Sequence, residues 1–257
     1  MTYLEQLFSL DQKVAVVTGA SRGLGQGIAA ALLKAGATTI LVSTNQERLN
    51  ATHQDFVAQD LKATAYACDL SVPEQLNALV DYVIAAHGRI DVLVNAAGVT
   101  FTEDLLDYPD EYWEKTLRVN LEAPYRLTKN FARTMKEQGG GSIINITSIA
   151  AERGGSNNPA YAAAKGGLKQ MTKALASDLA PFGIRVNNIG PGYFRTDMTN
   201  YSWDDPERRA LRTQSTMLGR WGMPADLAGI AVLLASEASS YITGQDFYVD
   251  GGWLAKI

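Results

Sequence analysis

The sequence predicts an α/β fold in which one parallel sheet carries helices on both faces. Two observations support this prediction. Short runs rich in valine, isoleucine and leucine alternate with helical segments along nearly the whole chain. The first run, residues 13–18, enters a glycine-rich turn that leads directly into a helix. This strand–helix order requires right-handed crossovers, so we expect a doubly wound sheet of seven parallel strands.

The alternation also predicts where each element lies. Strands are expected at residues 13–18, 38–43, 63–68, 90–94, 142–146, 184–189 and 245–249. Helices are expected at 28–35, 46–59, 72–86, 111–138 and 227–235, with a further helix carrying residues 161–165. The long fourth helix should kink near residues 120–124, because Pro124 lacks a backbone donor. With 257 residues, 46% of them hydrophobic, the chain is expected to form one domain over residues 1–257.

Composition argues against several classes of partner. The net charge is −4 and no run of basic residues is present, so nucleic acid is not expected as a partner. Cys68 is the only cysteine and His53 and His87 are the only histidines, which leaves no disulfide and no Cys/His metal cluster. The N-terminus does not resemble a signal peptide and no apolar run is long enough to span a membrane. We therefore expect a cytoplasmic protein with no metal and no membrane contact.

The turn after the first strand has the form TGxxxGxG. Its small residues let the backbone approach a pyrophosphate, and the following helix N-terminus offers free N–H groups to the anion. The competing interpretation is a tight turn whose glycines serve packing alone. The candidate cofactor residues of this turn are Gly19, Ser21, Arg22, Gly23, Leu24 and Gly25.

A second motif, Tyr161-Ala-Ala-Ala-Lys165, places a phenol and an ammonium one helical turn apart. A phenol with an ordinary pKa of about 10 transfers protons poorly at pH 7, and a fixed cation beside it favours the phenolate. Ser148 lies at the end of the strand at 142–146, where open α/β sheets place their chemistry. The competing interpretation is a surface helix on which the aromatic ring covers the lysine stem.

The glycine turn, Ser148 and the Tyr161/Lys165 pair, in this order, resemble the short-chain dehydrogenase/reductase family over residues 13–252. The resemblance implies a Rossmann-type domain and hydride transfer between nicotinamide and a secondary alcohol or ketone. It implies that Tyr161 is the acid–base group, that Ser148 bonds the substrate oxygen and that Lys165 holds the cofactor ribose and lowers the tyrosine pKa. Asn120 matches the family position that links the lysine to solvent through a water held by a distorted helix.

The same resemblance supplies further cofactor positions. Asp69, followed by Leu70, matches the adenine contact after the third strand, and Thr196 matches a contact to the nicotinamide carboxamide. The motif after the fourth strand and the Pro-Gly pair after the sixth complete the set, which is Asn95, Ala96, Ala97, Gly98, Pro191 and Gly192.

Residues 193–222 mix aromatic and charged side chains and are expected to form a lid over the substrate. A solvated helix packed by its aromatic residues is the alternative. The segments 189–193, 219–222 and 250–254 resemble gluconate 5-dehydrogenases and 2-deoxygluconate 3-dehydrogenases, which implies a sugar acid or another polyhydroxylated substrate. Candidate substrate contacts are Ser148, Tyr161, Tyr193 and Arg153, and Arg195 could also meet a carboxylate. Thr100-Phe101-Thr102 departs from that subgroup, which often carries basic residues there.

Cofactor choice should favour NADP(H), with NAD(H) also used. An acidic residue after the second strand normally selects NAD by accepting the ribose hydroxyls, but Ser43, Thr44 and Asn45 stand there. Arg22 could bind the 2′-phosphate. The second basic residue common in NADP enzymes is replaced by Thr44, which leaves dual specificity open.

Two other functions compete with this one. A 3-oxoacyl carrier-protein reductase resembles the chain over the same length, and a patch including Arg126, Lys129 and Arg133 could meet an acidic carrier protein. The charged lid suits a hydroxylated substrate better. A dinucleotide-binding sensor without turnover would not need all four catalytic positions to be filled. In this chain all four are filled. The family resemblance further implies a homotetramer, built through the long kinked helix with the catalytic helix and through the last helix with the last strand.

Overall fold

A computed structural model describes residues 2–256 of the chain. Its seven strands form one parallel sheet in the order β3-β2-β1-β4-β5-β6-β7, which confirms the predicted fold class. The strands are β1 (Val14–Thr18), β2 (Thr38–Ser43), β3 (Ala63–Ala67), β4 (Val92–Asn95), β5 (Gly141–Ile146), β6 (Ile184–Pro191) and β7 (Asp246–Val249). The α-helices are α1 (Tyr3–Phe8), α2 (Gly23–Lys34), α3 (Gln46–Val57), α4 (Pro73–His87), α5 (Asp110–Leu117), α6 (Ala123–Glu137), α7 (Pro159–Leu179), α8 (Asn200–Trp203), α9 (Pro206–Ser215) and α10 (Ala228–Ala235).

The strand order reverses between β1 and β4, and this reversal positions the site. β1 pairs with β2 on one side and with β4 on the other. The connections that leave β1 and β4 therefore cross to opposite faces of the sheet. A crevice opens at the carboxyl ends of these two strands, which are Thr18 and Asn95.

Alternating side chains of each central strand feed two separate cores. In β1, Val16 belongs to the cluster on one face of the sheet and Val17 to the cluster on the other. Ile143 and Ile144 of β5 divide in the same way. Because successive side chains in a strand point to opposite faces, a sheet covered by helices on both sides must be apolar at every position. The uninterrupted apolar runs in the sequence reflect this requirement.

The predicted kink near residues 120–124 has a different form in the structure. The chain stays helical from α5 to α6 through a π-helical turn at Arg118–Glu122, and Pro124 follows as the second residue of α6. A π turn absorbs one extra residue within a helix and widens it locally. The interruption is therefore a bulge that ends just before the proline.

A chain of buried polar side chains runs across the sheet from β4 to β7. The Asn95 amide donates to Asn145 Oδ1 at 2.8 Å, and the Asn145 amide donates to Thr172 Oγ1 of α7 at 2.8 Å. The Thr172 hydroxyl donates to Asn188 Oδ1 at 2.7 Å, and the Asn188 amide donates to Asp246 Oδ1 at 2.7 Å. Buried polar groups are costly unless paired, so this chain ties α7 to the sheet at a defined register.

Two absences hold for residues 2–256. None of their helices combines the length and the apolar character needed to cross a bilayer. Nor do their histidine, cysteine and acidic side chains form a cluster able to hold a metal ion.

Replacing Thr172 by valine should lower the free energy of unfolding by about 1–3 kcal/mol, because two buried amides lose a partner while the shape is kept. Chemical denaturation measures this change. Thr39→Val is the matched control: Thr39 is also fully buried, but its hydroxyl has no hydrogen-bond partner within the described residues. That variant should be neutral or stabilised, and equal losses in both variants would contradict the role given to the polar chain.

Candidate active site

The glycine turn lies against the loop after β4. Gly19 has a φ of 69°, and a Cβ added there would lie 2.8 Å from the Ala97 Cα. A Cβ on Gly25 would lie 2.3 Å from the Gly19 carbonyl oxygen, so helix α2 also needs a glycine at this contact. Arg22 precedes α2 without a side-chain cap, which leaves the first N–H groups of the helix available to an anion. These residues fit a dinucleotide pyrophosphate.

Thr18 joins the two strand ends and was not predicted as a site residue. Its hydroxyl oxygen accepts hydrogen bonds from the backbone N–H of Ala96 at 3.0 Å and of Ala97 at 3.1 Å. Thr18 is itself buried. The threonine before the first glycine of the motif was the signal that could have identified it.

Asn95, a predicted cofactor residue, places its side chain inside the protein. It is 3% exposed and its amide belongs to the buried polar chain toward Asn145. The Asn95 side chain is thus used to join β4 to β5, and the cofactor contact predicted at this position does not depend on it. A backbone contact at this position stays a prediction, as do contacts at Ala96, Ala97 and Gly98.

Gly98 brings two of the four predicted catalytic residues close together. A Cβ on Gly98 would lie 3.4 Å from Asn120 Oδ1 and 3.8 Å from Lys165 Nζ. Lys165 is 3% exposed, and its ammonium donates to the Ile146 carbonyl at the end of β5 at 2.7 Å. Burial lowers the pKa of Lys165 to about 8.

Asn120 lies in the π-helical turn and is fully buried. Its Oδ1 accepts from the Val99 N–H at 2.8 Å and its Nδ2 donates to the Val99 carbonyl at 2.9 Å. The side chain therefore fixes the loop after β4 from the opposite side to Thr18. The predicted water link to solvent stays a prediction.

Ser148 and Tyr161 stand at two neighbouring helix starts. Ser148 caps a short 3₁₀ turn, where its hydroxyl oxygen accepts from the Ala150 N–H at 3.1 Å. Tyr161 is the third residue of α7 and remains partly exposed. Burial raises the pKa of its phenol, and a hydrogen bond with the Ser148 hydroxyl partly opposes that shift.

The Lys165 ammonium lies 5.6 Å from the centroid of the Tyr161 ring. It bonds the Ile146 carbonyl rather than the phenol. Burial is the largest cause of the shift in the Tyr161 pKa, and the predicted lowering of that pKa by the Lys165 cation stays a prediction. Lys165 and Tyr161 lie one turn apart on the same helix, α7.

Side chains that were not predicted hold the loop between Ser148 and Tyr161. Asn158, just before α7, donates to Thr100 Oγ1 at 2.6 Å and so ties this loop to the one after β4. Glu152 accepts from the Lys169 ammonium and the Tyr248 hydroxyl. These two partners, the lysine foremost, lower the pKa of the Glu152 carboxyl. Arg153 follows Glu152 directly in the sequence.

The predicted adenosine side of the cofactor site also assembles. The hydroxyls of Ser21 and Ser43 are 2.8 Å apart, which joins the glycine turn to the end of β2, and Thr44 follows exposed. Arg22 Nη1 lies 2.6 Å from Asp197 Oδ2. Arg48 Nη1 lies 3.5 Å from the same oxygen. The expectation that a second cation is absent is therefore wrong. Thr44 occupies the usual position after β2, but α3 brings Arg48 to the same Asp197 oxygen that Arg22 approaches.

The remaining predicted cofactor residues divide between surface and core. Leu24 packs against the core on one face of the sheet, and Leu70 is 8% exposed within the core on the other. The Asp69 carboxylate accepts from the N–H and hydroxyl of Ser71 at 2.9 and 2.7 Å. An adenine contact by Asp69 stays a prediction.

Residues after β6 reach the glycine turn. Pro191 ends β6, and a Cβ on Gly192 would lie 2.7 Å from the Asp250 Cα. The Thr196 methyl group would lie 3.4 Å from a Cβ on Gly23. Thr196 therefore lies beside the start of α2. A residue that contacts both halves of a cofactor site has to lie there.

The segment predicted as a lid is closed at its base. Phe194 and Gly222 form a β-bridge, and the Arg195 N–H donates to the Gly222 carbonyl at 2.9 Å. Helices α8 and α9 lie between these two ends. A cavity of about 720 Å³ is an open groove on this segment that does not include Ser148 or Tyr161, so it is not the candidate active site.

An aromatic cluster lies at the root of this segment. The Tyr193 ring centroid is 5.6 Å from that of Trp221 and 6.0 Å from that of Trp253. The Arg153 guanidinium lies 5.2 Å from the Trp253 ring centroid. Arg195 instead stacks on Trp203, at 4.7 Å from the ring centroid. Of the two arginines, Arg153 is the one attached to the Ser148 loop.

The sheet reversal, the glycine turn and the grouping of Ser148, Tyr161 and Lys165 at one edge define a dinucleotide-dependent oxidoreductase. A family model described as "Enoyl-(Acyl carrier protein) reductase" matches residues 19–254. The chain belongs to the short-chain dehydrogenase/reductase family. It is an NAD(P)-dependent enzyme with the Rossmann-type fold of that family.

Relatives match over the full length of the chain. A 2-dehydro-3-deoxy-D-gluconate 5-dehydrogenase of Bacillus subtilis is 40% identical over 100% of both chains. A 5-keto-D-gluconate 5-reductase of Escherichia coli is 34% identical, covering 99% of this chain and 100% of the relative. The crystal structure of a gluconate 5-dehydrogenase from Burkholderia cenocepacia in complex with NADP and tartrate superposes with a TM-score of 0.95 at 34% identity, covering 99% and 100% of the two chains.

Proposed function

We propose that this enzyme interconverts a ketone and a secondary hydroxyl on a sugar acid, of the gluconate or keto-deoxygluconate type. The full-length similarity to enzymes named for such substrates carries the proposal. The loop of Arg153 supports it, because a guanidinium beside the Ser148 turn is a suitable partner for a substrate carboxylate.

The four grouped residues divide the acid–base work. In the reducing direction, the Tyr161 hydroxyl donates a proton to the oxygen that becomes the alcohol, and the Ser148 hydroxyl donates a hydrogen bond to that same oxygen. A phenol, whose ordinary pKa is about 10, is protonated at neutral pH and can donate. The nicotinamide cofactor, when bound, supplies or accepts the hydride.

Lys165 and Asn120 serve the proton supply and the cofactor. A lysine with a pKa of about 8 exchanges protons near neutral pH more readily than an ordinary lysine. Its ammonium faces the backbone of Gly98, where the ribose of the cofactor would be held. Asn120, which also lies close to Gly98, fixes that loop and gives the lysine a polar neighbour.

The lid is the segment of residues 193–222, and substrate recognition is assigned to the aromatic cluster at its root. Tyr193 presents a ring and a hydroxyl beside Trp253. The Arg153 guanidinium stacks on the Trp253 ring. Stacking restrains a guanidinium while leaving its N–H groups free for a carboxylate. This arrangement offers the charged contact that Thr100-Phe101-Thr102 does not.

The proposed cofactor preference is NADP(H), with NAD(H) also used. Arg22 and Arg48 supply two cations at the adenosine side, and no acid stands at residues 43–45. Three solved relatives, from Burkholderia cenocepacia, Beutenbergia cavernae and Agrobacterium tumefaciens, are described with NADP bound.

The proposed assembly is a homotetramer in the cytoplasm. Trp113 of α5 and Tyr125 of α6 are 40% and 44% exposed, and α7 has open space at Gly166, so this helical face offers apolar area for a partner copy. The single buried thiol, Cys68, suits a reducing compartment. A monomeric mass by light scattering at micromolar concentration would contradict the assembly.

A substrate panel tests the function. Values of kcat/KM should be compared for 5-keto-D-gluconate, 2-dehydro-3-deoxy-D-gluconate, neutral polyols and 3-oxoacyl thioesters, each with both cofactors. A sugar acid should give the highest kcat/KM, and Arg153→Gln should raise KM for the acids but not for neutral polyols. A 3-oxoacyl thioester used better than every sugar acid would instead support the competing function, a 3-oxoacyl carrier-protein reductase.

Tyr161→Phe should reduce kcat by about 10²–10⁴-fold, because it removes one proton donor and little volume. The dissociation constant of NADPH, measured by fluorescence titration, should stay within about twofold of the wild-type value. Tyr3→Phe removes an exposed phenol hydroxyl from α1 and should leave kcat unchanged. A Tyr161→Phe enzyme with wild-type kcat would contradict the proton-transfer role.

A further inference from the structure

Asp197 joins two arginines that come from separate parts of the chain. Its Oδ2 lies 2.6 Å from Arg22 Nη1 and 3.5 Å from Arg48 Nη1. The three side chains are exposed to similar extents, at 53% for Asp197 and 54% for each arginine. A ligand in solution can therefore reach all three side chains.

Each member of this trio is placed by a defined element. Arg22 is the cap residue of α2 within the glycine turn. Arg48 is the third residue of α3, where the Asn45 side chain caps the helix by accepting from the Arg48 N–H at 2.8 Å. Asp197 follows Thr196, which touches the glycine turn, and begins the 3₁₀ turn at the base of the lid.

We propose that Asp197 is a specificity-determining residue that competes with the cofactor 2′-phosphate for Arg22 and Arg48, and that Arg48 is the second cation for this phosphate. The inference rests on the proposed use of NADP(H). It adds an internal anion to that site and assigns a residue that lies outside the usual position after β2.

The charges determine the direction of the effect. A phosphate monoester carries a charge of about −1.5 to −2 at pH 7 and accepts charge-assisted hydrogen bonds from guanidinium groups. It must either displace the Asp197 carboxylate from the arginines or bind beside it, and both cost affinity through lost pairing or like-charge repulsion. The neutral 2′-hydroxyl of NAD leaves the Asp197 pairs intact. Asp197 therefore narrows the preference for NADP(H) and moves the enzyme toward dual specificity.

Fluorescence titration of the substrate-free protein with NADPH and with NADH tests this proposal. The quantity of interest is the ratio of the NADH dissociation constant to that of NADPH. Asp197→Asn should raise this ratio by about two- to fivefold, the range expected for an exposed ion pair, and Arg48→Gln should lower it by a similar factor. Both changes should shrink at high salt, because exposed charges are screened.

Asp204→Asn is the matched control, since it removes an exposed carboxylate from the same lid and should leave the ratio unchanged. A ratio that stays at the wild-type value in Asp197→Asn, or falls, would overturn the proposal. So would a parallel weakening of both cofactors, which marks a merely structural role. Because the titration contains no substrate, its outcome is independent of whether sugar acids are turned over.

Discussion

The hydrogen bonds that the Thr18 hydroxyl accepts from Ala96 and Ala97 are the interaction on which the rest of the site depends. They hold the carboxyl ends of β1 and β4 together at the point where the sheet order reverses. With the chain fixed there, Gly19 can lie against Ala97 at a distance that no other residue allows. The loop that continues from Ala97 is then held by Asn120, and at Gly98 it lies close to both Asn120 and Lys165.

Burial sets the acid–base properties of this site more strongly than the pairing of charges does. Lys165 is surrounded by protein and bonded to a neutral carbonyl, so its pKa falls to about 8. Tyr161 is shifted in the opposite sense, because desolvation disfavours the phenolate as it disfavours the ammonium. Desolvation therefore favours the neutral form of both groups, the phenol of Tyr161 and the amine of Lys165. The buried polar chain through Thr172 holds α7, and with it both residues, at this position.

The sequence predicted the sheet well because both of its faces are covered. Strands such as Val14–Thr18 are buried at every position and leave largely apolar runs, so their ends were placed within about two residues. The Ser148, Tyr161 and Lys165 grouping was predictable because a motif carries it. Interactions between distant segments were not predictable. Arg48 and Asp197 are 149 positions apart, and neither lies in a recognisable motif. The π turn at Asn120 was read as a proline kink because Pro124 is visible in the sequence whereas an extra residue in a helical turn is not.

The affinity of a Thr18→Val protein for NADPH tests the account most directly. Valine keeps the volume of threonine but removes the acceptor for two backbone N–H groups, so the loop after β4 should lose its fixed distance from Gly19. We expect the dissociation constants of NADPH and NADH to rise together by at least about tenfold, consistent with about 1–3 kcal/mol for an unsatisfied buried donor, while thermal denaturation still shows a folded protein. Wild-type affinity for both cofactors in this variant would contradict the claim that Thr18 organises the site.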